Sequence, residues 1–97
     1  MKYNIPDTVL REIITFAKKH NINKIILFGS RACGKNTPKS DIDIAIYGGD
    51  YDAFYWDIKQ NIHSLLRFDI IKADDKIPND FANEIKNNGV ILYEKIG

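Results

Sequence analysis

At 97 residues the chain has room for one domain with a modest core, expected to span 1–97. Its 44% apolar and 28% charged residues exclude a disordered chain, and a formal net charge of +1 excludes a surface built to coat nucleic acid. Cys33, the only cysteine, excludes an intrachain disulfide. With no apolar run near the ~20 residues of a membrane span and no signal-peptide core in MKYNIPDTV, a cytoplasmic location is expected.

The first predicted element is a helix in IPDTVLREIITFAKKH (5–20), where Val9, Leu10, Ile13, Ile14, Phe16 and Ala17 recur at helical spacing. Pro6 suits its first turn, Asp7 and Glu12 its positive end, and Lys18, Lys19 and His20 its negative end, with Asn21 as the stop. KIILF (24–28) is a continuous apolar run, expected of a strand covered on both faces. GSRACGKNTPKS (29–40) reads as a glycine-bearing turn with one short helix. SDIDIAIY (40–47) then reads as a second strand, ended by Gly48 and Gly49. DYDAFYWDIKQNIHSLL is a second long helix with Phe54, Ile58, Ile62 and Leu65 inward. RFDIIKA (67–73) is a third strand, IPNDFANEIKNNG a last helix capped near Asn79 and stopped by Gly89, and VILYE a closing strand. Strands alternating with helices predict an α/β (α+β) domain, helices packed on a small mixed β-sheet.

Two stretches carry chemistry. On a strand of alternating side chains, Asp41, Asp43, Ala45 and Tyr47 share one face and Ile42, Ile44 and Ile46 the other. Such alternation also describes an ordinary strand with one wet face. Aspartate is a poor strand former, however, and two in one strand without an intervening cation call for a counter-charge. Mg²⁺ is the natural one, since it takes oxygen ligands from one or two carboxylates together with substrate phosphates. Asp69 interrupts the apolar run of RFDIIKA, so all three carboxylates would meet if the two strands were neighbours.

The second stretch is FGSRACG. Gly29 lets backbone N–H groups approach a ligand, Ser30 offers a hydroxyl and Arg31 a fixed positive charge, a set suited to a triphosphate. It is not a Walker loop, because no G-x-x-x-x-G-K-[ST] occurs. Its force comes from the aspartate pair a dozen residues downstream.

Taken together, FGSRACGKNTPKSDIDIAI resembles the minimal nucleotidyltransferases of the DNA polymerase beta superfamily, whose motif is Gly-Ser, a spacer, Asp-x-Asp on a strand and a third Asp on a neighbouring strand. Gly29 and Ser30 match the first pair, Asp41 and Asp43 the second, and Asp69 the third carboxylate. The resemblance implies the polymerase-beta-type fold and transfer of a nucleoside monophosphate from an NTP, with ATP expected as donor, to an acceptor hydroxyl. It implies two Mg²⁺ ions held by Asp41, Asp43 and Asp69, and phosphates held by Gly29 and Ser30, with Arg31 nearby. Cys33 departs from the longer, often basic residue of many relatives. Larger relatives carry a further domain that helps seat base and acceptor, so either a partner completes the site here or weak activity is expected.

Minimal members often pair, as antitoxins, with a HEPN-domain ribonuclease toxin. The implied partner is thus such a toxin in a hetero-oligomer, and the implied acceptor one of its tyrosines. Two other readings stand beside this: neutralisation by occlusion without catalysis, and transfer to a small molecule. Tyr51, Phe54, Tyr55 and Trp56 cannot all face a core from one helix and are expected to include an interface. No membrane and no direct nucleic-acid contact are expected. His20, His63 and Cys33 lack metal-ligand spacing and read as ordinary surface or turn residues, as do Lys35, Lys39 and the KADDK loop.

Overall fold

The computed structural model describes residues 5–62 and 66–96, so the expectations for His63 and Leu65 fall outside the described residues. Three helices and four strands follow in the order α1 (Asp7–Lys19), β1 (Lys24–Phe28), β2 (Ile42–Tyr47), α2 (Tyr51–Asn61), β3 (Phe68–Lys72), α3 (Asn79–Asn88) and β4 (Val90–Glu94). The sheet order is β3-β2-β1-β4. β1 runs antiparallel to β2 and β4, while β2 and β3 run parallel, giving the expected mixed sheet. The parallel pair needs a crossover, and α2 supplies it.

The helix ends differ from the sequence reading in small ways with clear causes. Pro6 stands just before α1 in extended backbone (φ −58, ψ 138) rather than inside its first turn. Asn21 stops that helix as expected, adopting a left-handed conformation (φ 57). The α2 helix begins where the Asp50 side chain accepts from Ala53 N at 3.2 Å, and it ends at Asn61, sooner than expected. For α3, Pro78 occupies the cap position without a side-chain hydrogen bond, and Asn79 is its first helical residue. Proline lacks an N–H, which a helix start does not need.

One face of the sheet builds the core. Ile25 and Leu27 of β1, Ile42, Ile44 and Ile46 of β2, Phe68 and Ile70 of β3 and Leu92 of β4 join Val9, Ile13 and Ala17 of α1 and Phe54 and Ile58 of α2 in a single buried cluster. At the edge of this layer His20 Nε2 lies 2.5 Å from Asp57 Oδ2, with Lys19 Nζ at 3.3 Å from the same oxygen. These contacts tie the end of α1 to α2 and hold the Asp57 carboxyl below its usual range, the His20 hydrogen bond foremost. Among the described residues the other face of the sheet is covered only in part, by α3. That helix has no buried residue and reaches the sheet through Phe81, whose ring centroid lies 5.9 Å from that of Phe28.

Candidate active site

The chain leaves β1 through a turn that a side chain would obstruct. Gly29 has φ 77, and a Cβ there would collide with Asp43 Oδ2. Glycine is therefore required twice over, by its backbone conformation and by the carboxylate against it. Ala32 N and Cys33 N both donate to Gly29 O (3.1 and 3.3 Å), and Lys35 N donates to Ser30 O (3.0 Å). This is a hydrogen-bonded turn and not the short helix expected, because Gly34 (φ 77) turns the backbone left-handed before a second turn can form.

Register places the carboxylates. Asp43 lies opposite Phe28 of β1 on one side and opposite Asp69 of β3 on the other. The strands carrying Asp43 and Asp69 are thus neighbours, as the meeting of carboxylates requires. Asp41 stands one residue ahead of β2, not within it. The Asp43 carboxyl is pushed up to about 7, first by burial, then by its hydrogen bond with Asp69, then by the negative charges of Asp69, Asp41 and Glu84. Among the described residues the charges that raise it are all negative. Among the described residues no three acidic, imidazole or thiol side chains are gathered around a single metal position. What is gathered is the Asp43–Asp69 pair, with Asp41 near enough for its charge to be felt. A hard oxygen donor pair that suffers mutual repulsion fits Mg²⁺.

Edge strand β3 is held in place by α2. Lys59 Nζ donates to Phe68 O and Tyr51 Oη to Ile70 O, both at 2.8 Å. These bonds flank Asp69 and occupy carbonyls that an edge strand would otherwise offer to another chain. Of the aromatic group on α2, Phe54 is in the core, Tyr51 is used in this way, Tyr55 is partly buried, and Trp56 is 59% exposed.

Arg31 is placed unlike the other site residues. It is 3% exposed, and its guanidinium donates to the loop's own carbonyls: Nε to Ser40 O (3.0 Å), Nη2 to Pro38 O (3.1 Å) and to Thr37 O (3.4 Å). It fixes the segment that leads into Asp41.

A cavity of about 500 Å³ opens on the carboxylate face. Gly29, Asp43 and Asp69 line it, and Asp41 and Ser30 are absent from its wall. Its far side consists of Phe81, Asp80 and Glu84 from α3, with Ile71 beside Asp69. These α3 residues were not singled out from the sequence. The available signal was the spacing of Asp80, Phe81 and Glu84, which puts two carboxylates and an aromatic on adjoining positions of one helix face.

The sequence pattern of the polymerase beta nucleotidyltransferases matches residues 11–96. Similar solved folds include a crystal structure of a toxin–antitoxin with AMP-PNP (23% identity, 89% of this chain and 73% of that one, TM-score 0.68). A mutant of the toxin–antitoxin MntA-HpeT is alike at 21% identity over the same shares, with a TM-score of 0.67. A putative nucleotidyltransferase from Sulfolobus solfataricus is alike at 17% identity, over 91% of this chain and 79% of that one, with a TM-score of 0.56. No curated protein matches the sequence.

Proposed function

The chain belongs to the polymerase beta nucleotidyltransferase family, and we propose that it transfers AMP from ATP to a tyrosine hydroxyl of a partner toxin of the HEPN class, acting as an antitoxin in the cytoplasm. The observation that carries this reading is the register of Asp43 against Asp69 on parallel strands, with Gly29 packed directly on Asp43. The likeness to toxin–antitoxin folds supports the choice of partner.

In this reading the residues divide the work. The Gly29–Ser30 turn receives the β- and γ-phosphates through backbone N–H groups and the Ser30 hydroxyl. Asp41, Asp43 and Asp69 would hold two Mg²⁺ ions, which when bound neutralise the charge that develops on the attacking and leaving oxygens. Asp69, on the edge strand, would take the hydroxyl proton as the new P–O bond forms and pyrophosphate departs. Arg31 serves by position: buried in the loop, it sets the approach of Asp41 to β2.

The test is label transfer from α-labelled ATP to the co-purified partner in Mg²⁺, read by intact mass and tyrosine mapping. Label on the partner that disappears in both Asp41→Asn and Asp43→Asn is the expected result. Label that survives both substitutions would sink the assignment. Neutralisation that persists while label is lost would instead favour occlusion of the toxin.

A further inference from the structure

The cavity that Gly29 lines continues along α3, and its α3 wall has two chemically distinct parts. Phe81 is 44% exposed although its ring packs on Phe28, so one aromatic surface remains open to a ligand. Glu84, one helical turn on, lines the same cavity, and its Oε2 accepts from Asn88 Nδ2 at 2.6 Å, which holds the carboxylate in place as an acceptor. The neighbouring floor residue, Ile71, is apolar and half-buried.

A planar apolar group with a hydrogen-bond donor on its rim suits such a wall. A phosphate-bearing ligand anchored at Gly29 brings one with it: the nucleobase. We infer that Phe81 and Glu84 form the base subsite of this chain, Phe81 by stacking and Glu84 by accepting from an exocyclic amine, so that amine-bearing bases are selected over their oxo counterparts. The inference rests on the transferase reading above and adds to it the residues that choose the donor. Base-on-aromatic stacking tolerates any base, whereas a carboxylate acceptor rewards an amine and repels a carbonyl. The two residues therefore have separable effects. Because α3 has no buried residue, both can be changed without opening the core.

The experiment is calorimetric titration of the full chain, in Mg²⁺, with ATP, ITP, CTP and UTP. The wild type is expected to bind ATP about tenfold more tightly than ITP, and CTP about tenfold more tightly than UTP, the value of one good hydrogen bond of this kind. In Glu84→Gln, whose amide both donates and accepts, these ratios should fall toward one. In Phe81→Ala all four nucleotides should weaken together by roughly tenfold, with the ratios kept. Equal binding of ATP and ITP by the wild type, or unchanged affinity in Phe81→Ala, would overturn the base subsite and leave the transferase reading standing. Failure of the wild type to bind any nucleotide would overturn both.

Discussion

The two faces of β2 follow opposite rules although they share one backbone. Ile42, Ile44 and Ile46 are 0–1% exposed and pack under α1 and α2 in the core cluster. One residue away on the other face, Asp43 is half-buried against Asp69 and Gly29, with its carboxyl pushed up to about 7 by burial and by its acidic neighbours. The first face is at a minimum of its own, with apolar contacts satisfied on every side. The second holds repulsion that only a bound cation or a proton relieves. The comparison teaches that the stability of the strand and its chemistry are carried by alternate residues, and that the first sustains the second.

Neighbouring substitutions should separate the two. Ile44→Ala removes a fully buried side chain and is expected to cost about 2–5 kcal/mol, read as a fall in the urea midpoint. Asp43→Asn should leave the fold intact and reduce nucleotidyl transfer by on the order of 10²–10³-fold, read as label incorporated per minute. If both substitutions unfolded the protein, the division of labour between the faces would be wrong.

Gly29→Ala lies where the faces meet the turn. A positive φ and the collision with Asp43 together predict a loss of about 1–3 kcal/mol by thermal unfolding, with weakened nucleotide binding. Arg31→Met tests the loop that leads into Asp41. Losing a buried cation's hydrogen bonds to Ser40, Pro38 and Thr37 should cost about 1.5–3 kcal/mol, with little change at the Asp43–Asp69 pair.

The smallest effect is in pH. Unfolded, the Asp43 carboxyl titrates near 3.8, and folded near 7, so the metal-free native state holds the proton more tightly. Stability from this group is therefore present at low pH and declines as pH rises from about 4 to about 7. Because the carboxyl is half-exposed, solvent screening limits the loss to about 1 kcal/mol. The difference between wild type and Asp43→Asn across that range isolates it, and Mg²⁺ should restore the wild type most strongly at pH 7 and above.

Much of this was legible in the chain itself. Period-two alternation in SDIDIAIY placed isoleucines and aspartates on opposite faces, and the runs KIILF, RFDIIKA and VILYE named the other three strands. Local chemistry alone is enough for that, because alternation and glycine placement act over a few residues. The turn after Phe28 is the exception, because Gly34 prevents a helix that composition permits.

The Gly-Ser and Asp-x-Asp spacing, then, determined by sequence alone which residues have the means to hold phosphate and metal. The strand order was decided only in three dimensions. It puts Asp69 in register with Asp43 across some two dozen residues of chain, and it turns α3 so that Phe81 and Glu84 close the cavity. Within its own loop Arg31 is buried, its guanidinium donating to the Ser40, Pro38 and Thr37 carbonyls. The physical reason is one of range. Periodicity and turn chemistry are local, whereas which carboxylates repel one another depends on the pairing of strands far apart in the chain.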